Sequence, residues 1–184
     1  MPFTKTDIEG VLIFEPAVFG DDRGHFFESY NQRLFRDNGI LCDFIQDNQS
    51  LSGYGTIRGL HFQTSSHAQA KLVRVLQGTV LDVAVDLRTS SKTFGHHVAM
   101  ELSDDNKKQL FIPRGFAHGF SVLSETAVFA YKCDNDYTPQ SEAGIAFNDP
   151  DINIDWRIPE GSVIISDKDK GLPSWDAYKA HPCF

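Results

Sequence analysis

Residues 71–88, KLVRVLQGTVLDVAVDLR, constrain the fold of this chain more than any other segment. Two apolar runs flank Gln77-Gly78, a dipeptide that favours a tight turn, so the sequence predicts a β-hairpin here. In the second run, one set of side chains is entirely apolar and consists of Leu81, Val83, Val85 and Leu87. The intervening set is Asp82, Ala84, Asp86 and Arg88. This period of two is typical of a β-strand that buries one apolar face.

Short strand-like runs continue along most of the chain. They are predicted at residues 11–15, 25–28, 56–63, 96–102, 109–112, 119–123 and 127–133. A short helix is predicted at 32–38, capped by Asn31 and stopped by Gly39. Many short strands with few helices favour an all-β antiparallel sandwich or barrel. We expect one domain over residues 1–184, with its core at about 2–165. The polar segment 166–184 is expected to hold one short helix at most.

Length and composition exclude several classes of protein. The chain has 184 residues, enough for one domain with a substantial core. No apolar leader and no run of the ~20 apolar residues that a membrane span needs is found, so no membrane partner is expected. The three cysteines, Cys42, Cys133 and Cys183, include no CxxC pair, which favours a reducing cytoplasm. The net charge of −8 makes nucleic acid an unsuitable partner.

The stretch RGLHFQ, residues 58–63, combines core residues with functional groups. Leu60 and Phe62 are typical of a buried face, so His61 and Gln63 should point together to the opposite face. A solvated edge strand would also produce this pattern. An active site inside a barrel would explain the histidine, and the arginine three residues before it, more specifically.

Two segments have the outline of the paired motifs of cupin barrels. Residues 113–118, PRGFAH, fit P-x-G-x-x-H, and residues 61–78 fit H-x-H…E-x6-G only in part. A metal-binding cupin would supply three histidines and a glutamate. Here Gln63 replaces one histidine and Lys71 replaces the glutamate, which leaves His61 and His118. Amide and ammonium groups are unsuitable ligands, so we expect a barrel that binds no metal and uses no cofactor.

Three groups in such a barrel suit proton abstraction next to a carbonyl. His61 can act as a general base, since histidine is the side chain best suited to accept a proton near neutral pH. Tyr131, which shares a strand face with residues 127 and 129, can donate a proton to a carbanion. Lys71 can stabilise the charge of an enolate oxygen. A base, an opposing acid and an oxyanion partner together indicate an epimerase.

Polar residues for an anionic ligand occur mostly in loops. Arg and Lys side chains suit a pyrophosphate, and aromatic faces suit a nucleobase. Phe26 and Tyr137 are the candidates for stacking. The candidates for polar contacts are Arg23, Glu28, Gln46, Asp47, Asn48, Arg58, His118 and Lys168.

Longer segments resemble a known family. FGDDRGHFFESYN, FIQDNQS, IRGLHFQ, IPRGFAHGF and SDKD closely resemble dTDP-4-dehydrorhamnose 3,5-epimerases, and the resemblance runs from about residue 2 to 175. It implies a cupin-type jelly roll and a homodimer whose binding site is shared across the interface. It also implies that His61 is the base, that Asp169 orients it, that Tyr131 is the proton donor and that Lys71 lies beside the sugar keto oxygen.

The resemblance further implies a substrate and its contacts. Arg23 and Glu28 would reach the nucleotide, and the site would be lined by Gln46, Asp47, Asn48, Arg58, His118, Glu142 and Lys168. The reaction would convert dTDP-4-dehydro-6-deoxy-D-glucose to dTDP-4-dehydro-L-rhamnose in dTDP-L-rhamnose biosynthesis. Two alternatives stay open: an epimerase that acts only at C3 or only at C5, and a non-catalytic cupin that binds sugar nucleotides. A metal-dependent cupin enzyme is disfavoured by Gln63 and Lys71.

Overall fold

The computed structural model describes residues 2–184, except for the side chain of Ser65. Within these residues the chain forms thirteen β-strands and three short α-helices. The strands are β1 Phe3–Lys5, β2 Leu12–Phe14, β3 Val18–Asp21, β4 Gly24–Phe27, β5 Gln46–Gly53, β6 Ile57–Gln63, β7 Lys71–Gln77, β8 Thr79–Asp86, β9 His97–Ser103, β10 Gln109–Ile112, β11 Phe116–Val122, β12 Thr126–Cys133 and β13 Glu142–Gly144. The helices are α1 Gln32–Asp37, α2 Asp167–Lys170 and α3 Trp175–Ala180. None of these helices is long and apolar enough to cross a membrane.

Two antiparallel sheets form a cupin-type jelly roll, as the family resemblance implies, whereas the strand pattern alone predicts a sandwich or a barrel. The first sheet has six strands in the order β1-β2-β10-β7-β12-β5, and the second has five in the order β13-β6-β11-β8-β9. Strands β3 and β4 form a separate two-stranded ribbon. The main core lies between the two large sheets, where Val73 and Phe129 of the first sheet pack with Ala84 and Phe120 of the second. The interior of the barrel is therefore lined by side chains from both sheets.

The hairpin predicted at Gln77-Gly78 is wrong. Strands β7 and β8 do follow one another there, but β7 pairs with β10 and β12 whereas β8 pairs with β9 and β11. The chain passes from one sheet to the other at Gly78. This corner needs glycine, because its φ is 82° and a Cβ would lie 2.1 Å from the carbonyl oxygen of Thr126. A corner between sheets and a hairpin have the same local sequence signature.

The alternation in β8 separates an outer layer from the barrel interior. Leu81, Val83 and Val85 pack on the outer face of the five-stranded sheet, together with Trp175 and Tyr178 of α3. The intervening Asp82 and Ala84 face the interior. The C-terminal segment thus contributes two helices and two buried aromatic residues, more than its polar sequence indicates.

Helix α1 covers the outer face of the six-stranded sheet. Asn31 caps it by accepting a hydrogen bond from the backbone N–H of Leu34 at 3.2 Å, and Gly39 follows its end with a φ of 88°. Both features confirm the prediction from the sequence. Phe35 of this helix packs on Phe14 and Leu72 beneath it.

Candidate active site

The two sheets enclose a cleft at one end of the barrel. It consists of a cavity of about 640 Å³ and a neighbouring one of about 380 Å³. The two cavities share Asn48, His61, Lys71 and Tyr131 in their walls. These four residues therefore lie where the two cavities meet, with open space on both sides of them.

His61 and Asp169 form a hydrogen-bonded pair on one wall. Nε2 of His61 lies 2.8 Å from Oδ1 of Asp169, and the aspartate is 4% exposed. The second oxygen, Oδ2, accepts a hydrogen bond of 3.3 Å from the backbone N–H of Gly59. Because a carboxylate only accepts hydrogen bonds, Nε2 of His61 must donate. Nδ1 is then left with a free lone pair, as a general base requires.

Gly59 allows this arrangement because strands β6 and β11 approach very closely there. A Cβ on Gly59 would lie 2.5 Å from Cα of Gly119 and 2.9 Å from the carbonyl oxygen of His118. The register of the two strands shifts between His118 and Phe120. This irregularity frees the Gly59 N–H from the strand ladder and directs it to Asp169.

Tyr131 and Lys71 lie on the opposite wall, in the six-stranded sheet. Strands β12 and β7, which carry them, are paired, and Nζ of Lys71 lies 5.8 Å from the centre of the Tyr131 ring. Burial raises the pKa of Tyr131, so its phenol stays protonated. Burial lowers the pKa of Lys71, an effect partly offset by the carboxylates of Asp82 and Glu142. A phenol and a lysine side chain are thus placed across the cleft from His61.

His118 and Asp82 form a second pair, deeper in the same wall as His61. His118 is the register partner of His61 on the adjacent strand β11. Its Nε2 lies 2.9 Å from Oδ2 of Asp82, which is fully buried, and Oδ1 of that aspartate has no hydrogen-bond partner among the described residues. Burial lowers the pKa of His118 against the opposing effect of Asp82, so the imidazole is neutral near pH 7.

Glu142, Lys168 and Tyr137 form a hydrogen-bonded cluster at the rim of the cleft. Glu142 accepts hydrogen bonds from Lys168 at 2.5 Å and from the hydroxyl of Tyr137 at 2.6 Å. Burial opposes the ionisation of Glu142, but these two donors outweigh it and lower its pKa. The cluster links the loop after β12 to helix α2, which also holds Asp169.

Gln63 supports a loop rather than a metal ion. It is buried, and its Oε1 accepts a hydrogen bond of 2.9 Å from the backbone N–H of Thr138. Among the described residues, no three or more His, Cys, Asp or Glu side chains come together in a way that could hold a metal ion. The donor set of the cleft therefore does not fit a cupin metal centre.

Most of the predicted binding residues lie in the walls of this cleft. They are Gln46, Asn48, Arg58, His118, Tyr137, Glu142 and Lys168. The side chain of Asp47 points to the outer surface and pairs with Lys132 at 2.9 Å, because alternate residues of β5 face opposite sides. Arg23 and Phe26 lie on the exposed β3–β4 ribbon, and Glu28 follows it. Within one chain, these three residues do not line the cleft.

Several lining residues were not predicted from the sequence. They include Ser50, Ile57, Phe120, Phe129, Ile164 and Ser166. Phe129 and Phe120 could have been found by strand alternation, since they lie two residues from Tyr131 and His118 respectively. Residues 164–166 carry no such signal, because they belong to an irregular segment that approaches the cleft only through tertiary structure.

Comparison with known proteins is consistent with this geometry. The model of the family described as dTDP-4-dehydrorhamnose 3,5-epimerase matches residues 5–177. A relative of that name in Escherichia coli is 53% identical over 177 residues, which cover 96% of this chain and 95% of the relative. The chain belongs to the dTDP-4-dehydrorhamnose 3,5-epimerase family.

Solved structures of this family have the same fold. A dTDP-4-dehydrorhamnose 3,5-epimerase from Elizabethkingia anophelis is 55% identical, with a TM-score of 0.92 over 95% of this chain and 96% of that one. A dTDP-6-deoxy-D-glucose-3,5-epimerase from Legionella pneumophila, in complex with dTDP-4-keto-L-rhamnose, is 46% identical. Its TM-score is 0.94, over 99% of this chain and 97% of that one.

Proposed function

We propose that this protein converts dTDP-4-dehydro-6-deoxy-D-glucose to dTDP-4-dehydro-L-rhamnose. One observation carries the proposal: His61, paired with Asp169 of α2, lies on one sheet of the barrel, and Tyr131 and Lys71 lie on the other. Inversion of a carbon next to a ketone needs a base on one face of the sugar and an acid on the other. The placement of an imidazole and a phenol on opposite walls of the cleft supports this chemistry.

The mechanism follows from the roles of these groups. Nδ1 of His61 removes the proton from C3 or C5, both of which flank the C4 ketone. The electron pair moves to the C4 oxygen, where the cation of Lys71 stabilises the enolate. The hydroxyl of Tyr131 then returns a proton to the opposite face of the same carbon. The same groups can serve both carbons, since each carbon flanks the C4 ketone and forms its own enolate through it. Between the two inversions His61 releases its proton to water and Tyr131 takes one up.

We further propose that His118 and the rim residues bind the rest of the substrate. Neutral His118 donates from Nε2 to Asp82, so its Nδ1 can accept a hydrogen bond from a substrate hydroxyl. Arg58 and Lys168 provide positive charge for the pyrophosphate, and Tyr137 provides a stacking face. These contacts would hold the sugar between the two walls.

A homodimer would complete the site with Arg23, Phe26 and Glu28. Support comes from the β3–β4 ribbon, on which Phe19 and Phe26 are 66% and 71% exposed. Large apolar side chains exposed together are typical of an interface. A mixture of Arg23→Ala and His61→Ala subunits tests this arrangement. In a mixed dimer with a shared site, the Arg23→Ala subunit keeps His61 and receives the partner's arginine, so activity should return on mixing. No recovery after verified subunit exchange would contradict it.

We also propose that the protein is cytoplasmic and that its reaction uses no metal or cofactor. Cys42, Cys133 and Cys183 all carry free thiols, which supports a cytoplasmic location.

Buried Gln63 and cationic Lys71 support a reaction without a metal. Prolonged treatment with a chelator should leave the rate unchanged, and a loss of activity that one added metal restores would contradict this.

The test of the main proposal is proton NMR in deuterium oxide with dTDP-4-dehydro-6-deoxy-D-glucose. Deuterium should appear at both C3 and C5, and the L-sugar should form once a reductase traps it. Exchange and inversion at one carbon only would instead indicate a single-position epimerase. Tight binding without exchange at either carbon would indicate a non-catalytic binding protein.

A further inference from the structure

Asp169 is held at the start of a very short helix. Helix α2 spans only Asp167–Lys170, and an isolated helix of this length is not stable in water. Its few internal hydrogen bonds cannot fix the backbone, so the contacts at its ends must do so. The N-cap residue is Ser166, whose Oγ accepts a hydrogen bond of 3.1 Å from the backbone N–H of Asp169.

The sequence Ser166-x-x-Asp169 has the spacing of a capping box. In that motif the acidic side chain would reach back to the backbone N–H of the N-cap serine. Here the side chain of Asp169 turns away instead, towards Nε2 of His61 and the N–H of Gly59. One of the two hydrogen bonds of the capping box is therefore absent, because the carboxylate of Asp169 contacts the imidazole instead. The other, from the backbone N–H of Asp169, depends on Ser166 alone.

The segment before Ser166 is attached to the same strand that carries His61. Ile164 forms a bridge beside Thr56, and its carbonyl oxygen accepts a hydrogen bond of 2.9 Å from the N–H of Ile57 at the start of β6. From this anchor, Ser166 sets the direction of the next turn. Asp169 then meets β6 again at Gly59 and His61.

We propose that Ser166 is a positioning residue for the reaction: its N-cap hydrogen bond fixes the backbone of Asp169 so that the carboxylate orients His61. This inference rests on the proposed function of the cleft. Loss of the cap removes none of the groups that act on the reacting carbons. It allows the carboxylate to leave the imidazole, which then samples both neutral tautomers.

The chain offers a matched control. Ser174 caps α3 in the same way, accepting from the backbone N–H of Ala177 at 3.3 Å, and it does not line the cleft. Ser166→Ala should lower kcat about fivefold or more, because losing an N-cap lowers the population of the formed turn by about that factor. KM should change little. Ser174→Ala should leave kcat and KM unchanged. Ser166→Thr, which keeps the capping oxygen, should restore most of kcat.

A spectroscopic measurement separates this inference from the proposed function. Nitrogen NMR of the His61 ring should find one tautomer, protonated at Nε2, in the wild type and in Ser166→Thr. A mixture of tautomers is expected in Ser166→Ala. A single tautomer and an unchanged kcat in Ser166→Ala would overturn the inference. A change in KM alone, not restored by threonine, would also overturn it, because that result means a direct contact with substrate. A wild type that exchanges no substrate proton would refute the proposed function, while the tautomer measurement would still decide the role of Ser166.

Discussion

Oε1 of Gln63 and the backbone N–H of Thr138 are joined by a 2.9 Å hydrogen bond, at the position where metal-binding cupins have a histidine ligand. The bond fixes the loop that presents Tyr137. A second bond of 3.3 Å, from the N–H of Tyr137 to Oε1 of Gln46, holds the same stretch. Two amide side chains from the cleft walls therefore set the position of the loop backbone.

Replacement of Gln63 by methionine should weaken substrate binding. The change keeps the length of the side chain but leaves the Thr138 N–H without its acceptor, so we expect KM to rise about fivefold. Steady-state kinetics should find kcat nearly unchanged. Gln140→Met, at an exposed position in the same loop, is the control. An equal effect of both substitutions would contradict the anchoring role of Gln63.

His61→Ala should abolish most turnover while keeping affinity for dTDP. General-base catalysis contributes about 10²- to 10⁴-fold, and the base is not needed to hold a nucleotide. Kinetics and calorimetric titration with dTDP measure the two effects separately. Exposed His96 provides the control, as His96→Ala should behave like the wild type. Turnover near the wild-type rate in His61→Ala would remove the imidazole from the base role.

Tyr131→Phe should uncouple exchange from inversion. The base can still remove a proton and let deuterium enter from its own side, but the opposite face has lost its donor. Proton NMR in deuterium oxide should therefore find exchange with the original configuration kept and little L-sugar. Tyr54→Phe, at an exposed turn, should invert normally. Undiminished inversion in Tyr131→Phe would assign the acid role to another group.

The rate should fall at alkaline pH because Lys71 loses its charge. Burial lowers the pKa of Lys71, so its charge is lost at a lower pH than that of an exposed lysine, whose pKa is ~10.4. The pKa of Tyr131 is raised, so its deprotonation comes later. Lys71→Arg, which stays charged, should move the alkaline decline of kcat to higher pH. Circular dichroism must confirm that both proteins stay folded over the range, and an unmoved decline would exclude Lys71 as its cause.

The sequence predicted most accurately the features that depend on a single strand, such as the direction of a side chain. Alternation placed His61 opposite Leu60, and Tyr131 on the face of Phe129, since the direction of a side chain in a strand depends only on parity. Many such strands predict an antiparallel sandwich or barrel, whereas the jelly roll itself came from the family resemblance. The polar strand β5 is less distinct, because its alternation separates half-exposed from exposed residues instead of apolar from polar ones.

Relationships between distant segments were not accessible to that reasoning. Parity cannot distinguish a hairpin from a corner between sheets, which is why the interpretation of Gln77-Gly78 failed. The pairing of His61 with Asp169 came from family resemblance, as no local pattern joins them. Trp175 and Tyr178 are buried against the outer face of the five-stranded sheet. The sequence of the C-terminal segment alone contains no sign of that contact.

The two members of the His61–Asp169 pair are 108 positions apart in the chain, and the later one belongs to a segment that packs over the finished five-stranded sheet. During synthesis, the barrel strands leave the ribosome before that segment does. A nascent chain with every strand paired still has an unoriented imidazole, and on the proposed mechanism the base is oriented only when α2 has docked. On that mechanism, with a site shared between two subunits, turnover during translation would begin only after α2 has docked and a partner subunit has bound.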